Sequence, residues 1–295
     1  MKKAILLTIL LLTTSCSTQN TPQNEKFTII TTFPHLYSFT KNIVKDKCDV
    51  INLVPANVSL HTWQPKPSDL QKIARADLLI KNGLQLEVFL DNLIKTNDNP
   101  NLQILDTGKN LTNYALEDDE HGTNPHISLS PKLAIKQTEN IKNKLQQLDP
   151  RNSEFYENNF KAYQKKLEEL SKNITDQFKN TEKKDFLVFH EAYNYYLEEF
   201  NLLIYQKGSI EEFPGKEPSP AYLQNLIQEI KNQNIKIIFV EPQFSPKIIQ
   251  TLKDELNIRS FELAPIGQEL TNKGYENNLQ QVTNTIIQAF TLLRF

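Results

Sequence analysis

Between Pro150 and Lys179 the chain reads PRNSEFYENNFKAYQKKLEELSKNITDQFK, with no glycine or proline after Pro150. Apolar side chains recur at Phe155, Phe160, Tyr163, Leu167, Leu170, Ile174 and Phe178. Their gaps of 3, 4 and 5 residues mostly fall on one stripe of a helix. A helix over this stretch is about 42 Å long. That is too long for a crossover within one small sheet, so it reads as a spine joining two lobes.

On both sides of the spine, short β-branched runs alternate with helical spacing. Upstream, strands are expected at Phe27–Phe33, Cys48–Val54, Asp77–Ile80 and Leu102–Leu105, with helices at Leu36–Val44, Asp69–Ala76 and Glu87–Ile94. Downstream, strands are expected at Asp185–Phe189, Leu202–Tyr205, Ile235–Val240 and Arg259–Leu263. Helices there are Glu191–Glu199, Pro220–Asn232, Ser245–Glu255 and Asn277–Leu293. Alternation of this kind predicts parallel sheets. The fold class is α/β, with two Rossmann-like parallel-sheet lobes joined by the long spine helix. The N-terminal lobe spans 27–149, the spine 150–182 and the C-terminal lobe 183–295.

Lys2 and Lys3 precede a short apolar run, Ala4–Leu12, and then small residues up to Cys16. This is the layout of an export signal over residues 1–15. The run is too short for a membrane-spanning helix, which needs about 20 residues. Thr13-Thr14-Ser15-Cys16 resembles a bacterial lipobox in relaxed form, with Leu12 one position further back than usual. Cys16 is then a lipidation point and residues 16–26 a flexible tether, the product being an exported, membrane-anchored lipoprotein or a periplasmic protein. The plainer reading is an ordinary cleaved signal with an incidental cysteine. Cys48 is expected to be a buried packing residue.

Composition narrows the function. With 7 glycines in 295 residues the chain holds neither of the common glycine-rich phosphate cradles. A net charge of −2 argues against nucleic acid as the main partner. Two cysteines cannot build a multi-cysteine zinc ribbon. Any metal must therefore be held by the 5 histidines and the carboxylates. Three histidines fall where α/β sheets bind ligands, in loops at or after strand ends. His61 follows the second strand, His126 sits in Asn124-Pro125-His126 before Ser130-Pro131 and a helix, and His190 ends the strand Phe186–Phe189. A single histidine is more often structural, and His35 is read as structural or surface.

The run Pro55-Ala56-Asn57-Val58-Ser59-Leu60-His61-Thr62-Trp63-Gln64-Pro65-Lys66-Pro67-Ser68-Asp69 resembles a signature of the metal-binding lipoproteins of zinc and manganese ABC importers, the cluster A-I solute-binding proteins. Ala76-Asp77-Leu78, Asn82-Gly83 with Leu86-Glu87, and Asn124-Pro125-His126 with Leu129-Ser130-Pro131 follow in the family's order. So do Asp149-Pro150, His190-Glu191-Ala192-Tyr193, Glu217-Pro218-Ser219-Pro220 and Phe239-Val240-Glu241-Pro242-Gln243-Phe244. The resemblance runs from about residue 27 to 290. It implies that His61, His126 and His190 bind a metal ion in the cleft between the lobes. The first two would come from the N-terminal lobe and the third from the C-terminal lobe. It also implies delivery of the metal to an ABC permease.

The chain departs from the family pattern at telling places. A fourth ligand, usually an Asp, is replaced by Ala264 in Leu263-Ala264-Pro265-Ile266-Gly267. Asn124 and Glu191 stand where the family has Asp. The expected site is three imidazoles plus water, with Glu241, Glu262 or Glu191 as a fourth ligand or supporting group. Imidazole ligands without a sure carboxylate favour Zn(II), with Mn(II) or Fe(II) as alternatives. Trp63 either walls the site or packs under its loop. The acidic run Glu117–His121 reads as a solvated turn in preference to a metal-gathering loop. The expected function is an extracytoplasmic, monomeric binding protein and not an enzyme. The rival readings are a zinc hydrolase with Glu191 or Glu241 as general base and a surface adhesin.

Overall fold

The structure is a computed structural model that describes residues 26–292 apart from 57, 112–115, 119–121, 214 and 243–245. The expected signal segment, Cys16 and nearly all of the expected tether lie outside the described residues. Ile29 and Ile30 sit on neighbouring positions of β1 (Thr28–Thr31), so their side chains leave opposite faces, and both are fully buried. That is the signature of a parallel strand covered on both sides. β2 (Asp49–Asn52), β3 (Leu78–Lys81) and β4 (Gln103–Asp106) join it in the order β2-β1-β3-β4, every pair parallel. The connecting helices are α1 (Pro34–Val44), α2 (Pro67–Ala74) and α3 (Leu90–Lys95). α1 and α2 start on a proline, whose missing N–H costs nothing at a helix start.

A small antiparallel hairpin, β5 (Glu117–Asp118) with β6 (Gly122–Thr123), follows. The acidic run therefore begins as a strand, and its Asp119-Glu120-His121 lie outside the described residues. Next come α4 (Pro131–Leu148), capped by the Ser130 hydroxyl accepting from Leu133 N–H, and α5 (Ser153–Lys179). The second sheet holds β7 (Phe186–Val188), β8 (Gln206–Ser209), β9 (Ile237–Val240) and β10 (Arg259–Glu262), again all parallel. Its order is β8-β7-β9-β10. In each sheet the second strand pairs on one side of the first, and the third and fourth continue on the other. Helices α6 (Asn194–Glu199), α7 (Pro220–Gln233), α8 (Pro246–Glu255) and α9 (Gly274–Leu292) complete the chain.

One strand expectation is overturned. Leu202–Tyr205 is not extended: Leu203–Tyr205 makes a tight helical turn and the strand lies at Gln206–Ser209. Asn201, in the left-handed region at φ 58°, turns the chain sharply after α6. Leu202 then drops into the core while Ile204 is 74% exposed. Pairing with β7 decides the strand, and it overrides the poor β propensity of Gln-Lys-Gly-Ser.

α5 has 27 residues and spans about 40 Å. Most of its stripe behaves as the spacing predicts: Phe160, Tyr163, Leu167, Ile174 and Phe178 are buried, Phe155 and Leu170 are half-buried at its edge, and Tyr156 is buried in place of its neighbour Phe155. It packs against α4, α1 and α9. The resulting apolar core is continuous, running from Ile29 and Phe39 through Leu167 and Ile174 to Phe186, Phe239 and Phe290. Both sheets thus share one core. Among the described residues no helix is long and apolar enough to cross a membrane.

Leu167→Ala should cost about 2–5 kcal/mol of stability, since it leaves a cavity where the two sheets and the spine meet. The neighbouring exposed Glu168→Ala should stay within about 0.5 kcal/mol of wild type. Denaturant melts of the two variants check this, and equal midpoints would contradict the buried stripe.

Candidate metal centre

His61, His126 and His190 arrive at one point from three loops. His61 stands in a turn after β2, held by Thr62 and Trp63 N–H groups donating to Ser59 O. His126 precedes the Ile127–Leu129 turn, and its own N–H donates to Asn124 Oδ1 at 3.0 Å. His190 lies two residues past β7. His126 Nε2 is 3.3 Å from both His61 Nε2 and His190 Nε2. Ligand atoms of all three lie within 4.8 Å of one another, the one such His/Cys/Asp/Glu group among the described residues. His126 and His190 are buried and His61 is half-buried.

The spacing has chemical meaning. N–H···N contacts this long are poor hydrogen bonds. Zinc–nitrogen bonds of about 2.0–2.1 Å at tetrahedral angles, however, put neighbouring nitrogens about 3.3 Å apart. Burial pushes His61 down to about 4, helped by the nearby His190 charge. Burial, then the charges of His190, His61 and His35, holds His126 well below the ordinary histidine range. Both rings are neutral near pH 7, with a lone pair free for a metal.

His190 differs. Burial would lower it, but the charge and hydrogen bond of Glu241 outweigh that and raise it above the usual value. Its Nδ1 lies against Glu241 Oε1. The register explains the meeting: β7 and β9 pair Val188 with Phe239, so two residues further on His190 stands beside Glu241. The Nδ1–carboxylate contact fixes the tautomer and turns Nε2 toward His126.

The other carboxylates fall elsewhere. Glu262 ends β10, is exposed and is not part of the three-histidine group. Glu191 accepts from Asn194 Nδ2 and Gln206 Nε2, and its charge also acts on His190. Ala264 offers its backbone oxygen to Asn278 Nδ2 at 2.8 Å. Trp63 packs edge-on against Phe89, with ring centroids 4.7 Å apart, so it supports its loop from beneath. His35 is fully buried and Cys48 is a buried free thiol.

The sequence reading missed Glu211. It is buried, its carboxyl is pushed up to about 6 mainly by that burial, and its Oε1 accepts from Gly215 N–H. Placing β8 at 206–209 instead of 202–205 would have put Glu211 at a strand end beside the other site residues. Gly215 has φ +76°, and a Cβ there would lie 2.8 Å from Thr62 Cγ2 and 3.5 Å from His61 Cβ. The loop after β8 thus closes against the His61 turn. Asn124 ties the halves together as well: Asn124 Nδ2 donates to Glu191 O at 2.7 Å, and Tyr195 Oη donates to Asn124 O at 2.7 Å.

The comparisons with known proteins place the whole chain in one family. Residues 29–289 match the family described as zinc-uptake complex component A, periplasmic. The chain is 32% identical over 284 residues to the high-affinity zinc uptake system protein ZnuA of Bacillus subtilis (strain 168), covering 90% of this chain and 88% of that one. It is 30% identical to the zinc-binding lipoprotein AdcA of Streptococcus pneumoniae (strain R6), covering 93% of this chain but only 58% of the relative. The solved solute-binding protein FpvC of Pseudomonas aeruginosa in complex with Mn2+ superposes with a TM-score of 0.81 at 27% identity, covering 90% of this chain and 99% of that one. The chain belongs to the zinc-uptake complex component A family, the solute-binding components of ABC importers and not enzymes.

Proposed function

We propose that His61, His126 and His190 are the ligands of a transported zinc ion, captured between two lobes at 27–149 and 183–295 joined by the spine at 150–182. The observation that carries this reading is that His126 Nε2 lies 3.3 Å from the Nε2 atoms of both His61 and His190, a tetrahedral edge length for zinc. Water completes the tetrahedron where Ala264 replaces the family carboxylate. Glu241 supports His190 from behind and is not itself a ligand. The cargo is Zn(II) in preference to Mn(II) or Fe(II), because three imidazoles without a direct carboxylate suit zinc best. One chain supplies all three ligands, which supports action as a monomer. The shared core along α5 restrains wide hinge bending, so release to the permease proceeds by local movement. The Thr13–Cys16 sequence supports lipidation at Cys16 and anchoring to the membrane.

His61→Ala, His126→Ala and His190→Ala should each weaken zinc binding by more than 100-fold in a chelator-competition titration. Wild-type affinity in any one removes that residue from the site. Glu241→Gln should weaken zinc by about 10–100-fold, the usual scale for losing a partner of a ligating histidine. Ala264→Asp should raise Mn(II) affinity relative to zinc, because it restores an oxygen ligand. An unchanged ratio would place Ala264 away from the metal.

A further inference from the structure

We propose that His35 is a positioning residue for the metal site: a buried bridge that fixes the His126 loop against the Ala264 loop across the two halves of the protein. The inference rests on the assignment of His126 as a zinc ligand. His35 lies in the first turn of α1 and is fully buried. Its Nδ1 is 3.1 Å from Ser128 Oγ, and its Nε2 is 2.9 Å from Asn278 Oδ1 on α9. The edge of the ring meets Tyr275 with centroids 5.0 Å apart at 88°.

The direction of each hydrogen bond follows from its partners. Asn278 Nδ2 donates to the Ala264 carbonyl at 2.8 Å, so the amide atom facing His35 is the oxygen, an acceptor. His35 Nε2 therefore carries the hydrogen. Burial holds His35 near 4, so the ring is neutral and its Nδ1 is bare. Nδ1 must then accept from the Ser128 hydroxyl. One ordered chain results: Ser128 hydroxyl to His35, His35 to Asn278, and Asn278 to the Ala264 carbonyl.

The two ends of this chain matter. Ser128 is two residues beyond His126 and belongs to the turn that begins there. Ala264 follows β10 and stands at the position where the resemblance places a fourth ligand. Gly267, at φ +73°, takes the left-handed turn that brings the Ala264 loop alongside the bridge, in van der Waals reach of His35 Nε2. An apolar side chain at position 35 could fill the volume but not set the direction of either loop. It would also leave Ser128 Oγ and Asn278 Oδ1 buried without this partner. The next turns of α1 provide an internal contrast. Ser38 Oγ donates to Asn272 O, and Asn42 Nδ2 does the same. These bonds stitch α1 to the start of α9 without touching either loop.

The test compares zinc affinity by chelator competition with thermal stability in the full chain. The variants are His35→Leu, His35→Gln, Ser128→Ala, Asn278→Ala, Ser38→Ala and His126→Ala. His35→Leu and Ser128→Ala should each weaken zinc by about 10-fold or more, the scale of a lost supporting contact. The double variant should be no weaker than His35→Leu alone, because both act through one chain. His35→Gln, which keeps one donor and one acceptor, should recover part of the affinity. Ser38→Ala should lower the melting temperature while leaving zinc affinity within 2-fold. If His35→Leu does not fold, Ser128→Ala and Asn278→Ala decide. The proposal is overturned if those variants bind zinc like wild type while His126→Ala does not, or if Ser38→Ala weakens zinc as much as they do. Undiminished binding by His126→Ala would instead overturn the ligand assignment.

Discussion

The meeting of the three histidines depends on the apolar stripe of α5. Tyr163, Leu167, Ile174 and Phe178 sink into a core that also contains the inner faces of both sheets. Without that shared core the carboxyl ends of β2 and β7 would have no fixed relation, and histidines from separate loops could not meet. Hydrophobic burial has no direction of its own. Direction comes from hydrogen bonds laid across the core, such as Ser130 Oγ and Ser171 Oγ, both donating to Glu199.

The centre itself balances two opposing electrostatic effects. Desolvation favours neutral imidazoles, and it prevails at His61 and His126. At His190 the Glu241 carboxylate prevails. A buried carboxylate needs a partner, and the Nδ1 side of His190 supplies it while the Nε2 side stays directed at His126. The division of labour follows from topology. β7 and β9 are neighbours in a parallel sheet, so residues just past their ends must lie side by side.

Much of this was legible in the chain. The spine followed from seven apolar residues at helical spacing, and most strands from β-branched runs. The three histidines were visible because loops at strand ends bind ligands and because the motifs around them resemble one family. The pairing of His190 with Glu241 was only half visible, since Glu241, Glu262 and Glu191 were all open as a fourth ligand or supporting group. Choosing between them needs the strand order, which sequence periodicity does not carry. Leu202–Tyr205 misled because its apolar residues serve a turn over the core, while the strand formed from the polar Gln206–Ser209 through pairing alone. Glu211 was lost with that strand. His35 looked like a bystander because its partners, Ser128 and Asn278, are 93 and 243 residues away in sequence.

Gly215 adds a consequence about tolerance. It has no side chain where the loop after β8 touches the His61 turn, and a single added methyl group would meet Thr62 Cγ2 at 2.8 Å. Relief would demand that the Thr62 side chain turn away or that the loop after β8 draw back from the His61 turn. Metal–ligand distances are held to within about 0.2 Å of their ideal values. The missing side chain is therefore a spacer of zero thickness. It sets how closely the loop after β8 approaches the His61 turn, on the same scale on which a coordination sphere is won or lost.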